Sequence, residues 1–170
     1  QGGSSSNPTS DTYMGPSVES EPETRAVVQF FAANTPAIGA IDWHSFTQLV
    51  LRPYGWTEDD SPDEERLKFL GDGWAEEVRK VHGMAYTSQK SIALYTTTGT
   101  ASDWYYGANA TKANGGVYRA AGFCVELRPT GTPPGFLLPP EEIVPTGEEN
   151  YPAAIFWMRE LLKEPLRASS

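Results

Sequence analysis

The sequence predicts an α/β fold, in which helices pack on the faces of a layered β-sheet. Segments with apolar residues at helical spacing alternate along the chain with short apolar runs that are typical of buried strands. The composition supports a folded chain, because 39% of its 170 residues are hydrophobic and 12% are aromatic. This is enough apolar surface for one sizeable core, so we expect one domain or a large part of one.

The N-terminal residues 1–19 are rich in Gly, Ser, Pro and Thr, which predicts an irregular surface segment. A first helix is expected to open at Ser20, with Glu23 three residues later as the second half of a capping box. The run RAVVQFFAA, residues 25–33, would then supply the buried face of this helix.

The segment AIDW, residues 40–43, is short and apolar and predicts a buried strand that ends at His44. A second helix is expected after an acidic loop, with Ser61 as its cap and Pro62 in its first turn. The apolar residues that recur at spacings of three and four along this helix are Leu67, Leu70, Trp74, Val78 and Val81.

Two further runs, SIALY at 91–95 and FCVEL at 123–127, are interpreted as buried strands. A capping box from Thr146 to Glu149 predicts the start of the last helix. The residues of this helix that we expect to point inward are Ala154, Ile155, Met158, Leu161 and Leu162.

The charge and the termini exclude several classes of function. The 22 acidic and 13 basic residues give a net charge of −9, which disfavours nucleic acid and anionic membranes as partners. No apolar run approaches the roughly 18 residues of a membrane span, and the start has no signal-peptide pattern. Cys124 is the only cysteine, so no disulfide can form within the chain, and Asn109 begins a possible glycosylation sequon.

The spacing of histidines and acidic residues along the sequence does not by itself predict a complete metal site. The chain has two histidines, His44 and His82, and neither begins a His-x-x-Glu or His-Glu-x-x-His motif. A catalytic zinc normally has three protein ligands. His44 is therefore either a structural residue at the sheet edge or a functional one, because ligands bind at strand ends in α/β sheets.

Glu126 is a second anomaly, because it places a carboxylate inside the apolar strand FCVEL. An unpaired charge buried there would cost several kcal/mol. A structural ion pair with Arg128 or Arg119 would explain it, and a general base with a tuned pKa is the functional alternative.

Three segments in order resemble consecutive blocks of the zinc metallocarboxypeptidases of the carboxypeptidase A type. They are HSFTQLVLRPYGW, YTTTGTASDWYYG and FCVELRPTGTPPGFLLPPEEIVPTGEE, and SSSNPTSDTYMGPSVESEPETRAV is similar to the segment that precedes them in the family. The resemblance implies that residues 20–170 are the C-terminal part of a single peptidase catalytic domain. Its fold would be the C-terminal portion of a mixed, twisted β-sheet sandwiched by helices, incomplete without the preceding segment.

The resemblance also implies roles for individual residues. His44 would be the third ligand of one Zn²⁺ ion, and Glu126 would be the base that takes a proton from the attacking water. Tyr95 matches a mobile tyrosine that closes over the substrate. The subsites before the scissile bond would be lined by Ser45, Phe46 and Phe136.

Specificity is implied by Ser102, which matches the floor of the pocket for the C-terminal side chain. A neutral, small floor disfavours Lys and Arg and favours apolar or aromatic C-terminal residues. The walls of this pocket would be Leu51, Gly55, Leu94, Thr97 and Cys124. Thr9 stands where animal members have a disulfide cysteine.

The substrate would be the C-termini of peptides or proteins, and the family suggests a secreted protein. The family's His-x-x-Glu zinc ligands and its carboxylate-binding arginine lie earlier than Gln1. The resemblance therefore implies that this chain alone is inactive and needs the missing N-terminal half as its partner. An inert fragment and a noncatalytic peptide-binding module with the same fold are the alternatives.

Overall fold

The computed structural model describes residues 2–34, 37–107 and 119–166. Residues 2–21 contain turns but no helix or strand, with an isolated bridge between Ser5 and Tyr13. The possible glycosylation site at Asn109 lies outside the described residues. The elements that follow, in chain order, are α1 (Pro22–Ala33), β1 (Gly39–Ser45), β2 (Leu49–Arg52), α2 (Glu64–His82), β3 (Thr87–Lys90), α3 (Ala101–Tyr106), β4 (Ala121–Leu127) and α4 (Ile143–Lys163).

The strands form one mixed sheet in the order β1-β4-β2-β3. β1 runs parallel to β4, β4 runs antiparallel to β2, and β2 runs parallel to β3. The register pairs His44 of β1 with Glu126 of β4, and Leu51 of β2 with Cys124 of β4. The predicted α/β fold is confirmed, and strands are present at AIDW and FCVEL. The strand at AIDW is half-buried to exposed instead of buried, and it ends at Ser45 instead of His44.

The main core lies between one face of the sheet and the helices α2 and α4. Phe123 and Val125 of β4 and Val50 of β2 are fully buried on this face. The helices contribute Leu67, Leu70, Trp74 and Val78 from α2 and Ala153, Trp157 and Leu161 from α4. The opposite face carries α3, and Phe31 of α1 packs on Trp104 and Tyr105 of that helix.

The two predicted serine caps are wrong. α1 begins at Pro22, and the Ser20 hydroxyl donates a hydrogen bond to the side chain of Glu21 instead of to the helix backbone. α2 begins at Glu64, whose amide donates to the backbone carbonyl of Ser61, while the Ser61 hydroxyl has no partner among the described residues. Residues 61–64 therefore form a tight turn before α2, where the sequence predicted the first turn of the helix itself.

The predicted buried face of α1 is also wrong. Phe31 is buried, but Val27 is 48% and Phe30 is 70% exposed. Among the described residues, α1 contacts the rest of the protein chiefly through the ring of Phe31. Val28 is half-buried, and Val27 and Phe30 face solvent in this part of the structure.

The predicted strand SIALY is wrong, because Ser91–Ala93 form a 3-10 turn. The strand β3 lies just before it, at the polar sequence Thr87–Lys90. The turn is fixed by the Ser91 hydroxyl, which donates to the carbonyl of Arg52, and by the Ile92 amide, which donates to the carbonyl of Tyr54. A buried hydroxyl and a backbone amide therefore hold the chain where an apolar pattern suggested a strand.

The last helix starts at Ile143, three residues before the predicted cap. Thr146 is inside the helix, where its hydroxyl donates to the carbonyl of Glu142 at 2.6 Å. Leu161 points inward as predicted, whereas Met158 and Leu162 are exposed, as is Val81 of α2. Ala154 and Ile155 are half-buried. The helix begins earlier than predicted, and the residues that it buries are Thr146, Glu149, Asn150, Ala153, Trp157 and Leu161.

A buried ionic network replaces the predicted capping box at Glu149. This carboxylate is fully buried and accepts hydrogen bonds from Arg128, whose Nε lies 3.2 Å from Glu149 Oε2. His82 Nδ1 lies 3.0 Å from Glu149 Oε1, and Arg128 also pairs with Glu142. The network joins the end of β4 to α2 and α4. No helix in the described ranges is both long and apolar enough to cross a membrane.

Candidate active site

Four polar side chains project from one face of the sheet, on the two paired strands β1 and β4. Asp42 is in register with Cys124, and His44 is in register with Glu126. Since successive side chains of a strand alternate between faces, all four point away from the α2 and α4 core. They line a cavity of about 200 Å³ that the sheet forms with α3 and the segment 91–100.

Glu126 is the least compensated of these groups. Its Oε2 atom is buried and has no hydrogen-bond partner among the described residues. Burial raises the pKa of the Glu126 carboxyl, and the charge of Asp42 raises it further, whereas His44 lowers it. The carboxylate is therefore more basic than an exposed one.

The structural alternative for Glu126, an ion pair with an arginine, is not observed among the described residues. Arg128 pairs with Glu142 and Glu149, and Arg119 pairs with Asp63 at 3.0 Å. Both arginines that the sequence offered as partners thus neutralise other carboxylates. Among the described residues, His44 is the neighbour that lowers the pKa of Glu126.

His44 is half-exposed, with 48% of its side chain accessible. Its Nε2 atom lies 3.0 Å from Oδ2 of Asp42, two residues earlier on the same strand. This contact places a carboxylate beside one ring nitrogen, Nε2, and not beside the other, Nδ1. An exposed ring on a cavity wall differs from a histidine that is satisfied within a core.

The residues present fit a zinc ion. One potential ligand atom from each of His44, Cys124 and Glu126 lies within 4.8 Å of the other two. Nitrogen, sulfur and carboxylate oxygen are the donors that zinc prefers, and the unpartnered Glu126 oxygen is a buried acceptor at the same place. His44 and its neighbours can therefore hold or face a metal ion.

Cys124 is a neutral thiol under ordinary conditions. Burial raises its pKa to about 12, with further contributions from the charges of Glu126 and Asp42. A thiol nucleophile or metal ligand reacts as its thiolate, which a raised pKa disfavours. Cys124 thus acts chiefly as a small wall residue of the cavity.

Ser102 lies in the first turn of α3, directly over β4. It is 2% exposed and lines the cavity, and the N-cap residue Thr100 accepts a hydrogen bond from the amide of Asp103. A Cβ atom at Gly122 of β4 would lie 2.1 Å from the carbonyl oxygen of Ser102. The glycine therefore allows the helix backbone to rest on the strand and brings Ser102 to the cavity.

Tyr95 follows the 3-10 turn and stands at the cavity, with 63% of its surface exposed. The segment after it is anchored at Gly55, whose carbonyl accepts the Thr97 amide at 2.8 Å and whose own amide donates to Asp103 at 3.0 Å. Gly3 approaches the same segment, because a Cβ there would lie 2.6 Å from Thr97 Cα. The side chain of Tyr95 is thus exposed, and the segment that follows it is held in place at Thr97.

The remaining residues singled out from the sequence divide into two groups. Leu51, Leu94 and Thr97 line the cavity of His44, whereas Gly55 lies behind Thr97 instead of on the wall. Ser45 and Phe136 line a separate, larger apolar cavity of about 490 Å³ beyond the end of β1. Phe46 packs edge-to-face on Phe136, with their ring centroids 4.9 Å apart.

Sequence reasoning missed four residues that line the His44 cavity, namely Asp42, Ser91, Thr100 and Ala101. Asp42 could have been found, because residues two apart on a strand share a face and Asp42 precedes His44 by two. Ser91 was assigned to a strand that does not form.

Comparisons with known proteins show which proteins the sequence resembles. The profile of a family described as zinc carboxypeptidase matches residues 1–153. Human carboxypeptidase A5 is 37% identical over 164 residues, which cover 96% of this chain and 35% of the relative. Zinc carboxypeptidase A 1 of Anopheles gambiae is 38% identical over 161 residues, covering 93% of this chain and 35% of the relative.

Solved structures show the same fold. Bovine thrombin-activatable fibrinolysis inhibitor, in complex with tick carboxypeptidase inhibitor, matches with a TM-score of 0.83 and 30% identity, over 95% of this chain and 52% of that one. Carboxypeptidase A from Helicoverpa armigera matches with a TM-score of 0.79 and 25% identity, over 95% of this chain and 39% of that one. The chain spans about a third of the length of the curated relatives that it matches.

Proposed function

Because the chain belongs to the zinc carboxypeptidase family, we propose that it is the C-terminal half of a metallocarboxypeptidase domain. The completed domain would hydrolyse the last peptide bond of peptides and proteins. The observation that carries this proposal is the pairing of His44 with Glu126 across β1 and β4, on a cavity where Glu126 Oε2 has no partner among the described residues.

The mechanism assigns a role to each of these side chains. His44 would hold the zinc, and a bound zinc would supply Lewis acidity to polarise the scissile carbonyl and acidify the attacking water. Glu126 accepts the proton of that water and passes it to the leaving amine, and the burial that raises its pKa suits both transfers.

Substrate recognition follows from the walls of the cavity. Ser102 presents a small neutral group beside Leu51 and Leu94, so an apolar or aromatic C-terminal side chain is preferred. Tyr95 closes over the bound C-terminal residue from its exposed position. Phe46, Phe136 and Ser45 would contact the residues before the scissile bond, as the family resemblance implies. Ser45 and Phe136 line the larger apolar cavity beyond the end of β1, and Phe46 packs on Phe136.

The N-terminal half of the domain would supply the zinc ligands and the substrate-binding arginine. β1 is an edge strand within the described residues, although it lies beside the candidate catalytic centre. The exposed Val27 and Phe30 of α1 offer further apolar surface to a partner. The remaining zinc ligands and the arginine for the substrate carboxylate then come from the preceding segment, as the family resemblance implies. The same resemblance supports a secreted location.

The Glu126→Gln variant tests this function in the protein that contains both halves. A catalytic Glu126 predicts a loss of turnover of roughly 10² to 10⁴ with an unchanged zinc content. The melting temperature should be preserved, because the variant removes a charge that is costly to bury. A variant that keeps more than about a tenth of wild-type turnover would contradict the catalytic role. Glu148→Gln on the surface of α4 is the control.

Zinc titration of the 170-residue chain by calorimetry tests the division into halves. With His44 as its single family ligand, the chain alone should bind Zn²⁺ no better than a surface histidine does. Submicromolar binding that disappears in His44→Ala would show that the chain completes a site by itself. Comparison with Cys124→Ser would then tell whether the thiol contributes.

A further inference from the structure

Asp42 is the acidic residue that contacts His44 in the candidate site. It shares the strand and the face of His44, and its Oδ2 atom lies 3.0 Å from His44 Nε2. The two side chains are 37% and 48% exposed, so the contact is partly shielded from water. Neither the sequence motifs nor the comparisons assign a role to Asp42.

The position of this carboxylate determines which ring nitrogen of His44 can bind a metal. A neutral imidazole has one protonated nitrogen, and the group next to the other nitrogen decides which one it is. A carboxylate beside Nε2 favours a proton there, and the lone pair then resides on Nδ1. Ligating histidines commonly have such a carboxylate or carbonyl partner, which fixes the ring and increases its basicity.

The charge balance of the cavity supports the same conclusion. Its walls contain two carboxylates, Asp42 and Glu126, and no lysine or arginine among the described lining residues. The imidazole of His44 is therefore the group that the Asp42 carboxylate can orient, and a divalent cation would compensate both acids. The other lining groups that face the ring, such as Cys124, are neutral.

We propose that Asp42 is a positioning residue for zinc: its contact with Nε2 fixes the ring of His44 and leaves Nδ1 as the nitrogen available to a metal. This inference rests on the proposed function, in which His44 is a zinc ligand. It makes Asp42 necessary for full metal affinity although Asp42 is not a metal ligand, and it gives a reason for an acid on the same cavity wall as His44.

The test measures zinc affinity in the protein that contains this chain and the preceding half. Competition with a chelator of known affinity gives the dissociation constant of Zn²⁺ for the wild type, Asp42→Ala and Asp42→Asn. Loss of a partner that orients a ligand typically weakens metal binding by about 10- to 100-fold. We expect that loss in Asp42→Ala, and a smaller loss in Asp42→Asn, which keeps an oxygen acceptor of the same size.

The controls separate positioning from other effects. Asp72→Asn, on the exposed side of α2, removes one negative charge far from the cavity and should leave zinc affinity unchanged. The melting temperature of the metal-free variants should equal that of the wild type, because the role concerns the metal. Equal affinity in the wild type and Asp42→Ala, or equal losses in both Asp42 variants, would overturn the positioning role. A wild type that binds no zinc would instead contradict the proposed function, and this inference with it.

Discussion

The carbonyl oxygen of Ser102 occupies the space into which a side chain at Gly122 would extend. A Cβ atom at Gly122 would lie 2.1 Å from that oxygen and 3.1 Å from Ser102 Cα. The backbone of α3 therefore rests on β4 without an intervening side chain. This contact sets the depth of the cavity, because Ser102 and Cys124 both line it.

Gly122→Ala should therefore destabilise the protein and deform the cavity. The obstacle is backbone and cannot rotate away, so we expect a loss near the upper end of the overpacking range, about 3 kcal/mol, in the free energy of unfolding. Denaturant unfolding measures it. Gly131→Ala is the matched control, because a Cβ there meets nothing within 4 Å. Equal stability of the two variants would show that α3 is not seated on β4 in this way.

Ser102→Asp should change the substrate preference of the completed enzyme. The wild type should cleave peptides ending in Phe, Tyr or Leu faster than peptides ending in Lys, because a buried ammonium would find no counter-charge at Ser102. The variant should favour Lys and Arg, and Ser102→Asn should behave like the wild type. The ratio of kcat/KM for C-terminal Phe and Lys substrates is the measurement. A wild type that already prefers Lys would refute the assignment of Ser102 to the pocket floor.

Cys124 should be unreactive until the protein unfolds. With a pKa raised to about 12, its thiolate fraction at pH 8 is on the order of 10³ times lower than that of an ordinary cysteine. Alkylation by iodoacetamide should be slower by a similar factor in the native chain than in urea. Rapid labelling of the folded chain at pH 8 would contradict the burial of the thiol.

The same thiol makes stability depend on alkaline pH. Its folded pKa lies above its unfolded pKa, so the folded state retains the proton longer. This contribution to the free energy of unfolding is complete below the unfolded pKa of about 8.5 and is lost as the pH rises toward 12. Cys124→Ser should reduce the loss above pH 9 in thermal melts, since a serine hydroxyl does not titrate there.

Glu149→Gln should be among the most destabilising single changes in α4. Glu149 is fully buried and neutralises Arg128, so the variant leaves a buried guanidinium with a weaker partner. Breaking such a pair typically costs 3–5 kcal/mol, and the second carboxylate on Arg128, Glu142, places the expectation at about 3 kcal/mol. Its exposed neighbour Glu148 provides the control: Glu148→Gln should change stability by less than about 0.5 kcal/mol.

Gly3→Ala should loosen the loop that follows Tyr95. Gly3 has φ +88°, and a Cβ there would meet the backbone of Thr97 at 2.6 Å. At Gly2 a Cβ would meet only the Thr96 side chain, at an ordinary 3.6 Å. Amide hydrogen exchange at Thr97, whose N–H bonds to Gly55, should therefore accelerate in Gly3→Ala and stay unchanged in Gly2→Ala. Identical exchange in the two variants would mean that residues 2–4 do not support the loop.

The sequence predicted the architecture better than the ends of its elements. The apolar stripe of α2 and the strand at FCVEL are strong periodic signals, and both are present. The caps at Ser20, Ser61 and Thr146 are wrong because α1 and α2 begin without a side-chain cap, after local contacts at Ser20 and Ser61, and α4 begins earlier, at Ile143.

The sequence predicted individual residues of the candidate site but not how they are arranged relative to one another. His44 and Glu126 were found separately, as anomalies in two strands, but their register on adjacent strands is a tertiary fact. The polar strand β3 has no apolar pattern, and the apolar run after it is a turn fixed by Arg52 and Tyr54. Local sequence therefore could not place Ser91 on the cavity wall.

The pairing of β1 with β4 has a consequence for when the candidate site forms during folding. These strands are neighbours in space, but β2, α2, β3 and α3 lie between them in the chain. Contacts between residues so far apart in sequence require closure of a long loop and tend to slow folding. The α2 and α4 core can reach substantial burial while His44 and Glu126 are still apart. Recovery of a zinc-dependent signal during refolding would therefore mark the completion of the native sheet and not the initial collapse.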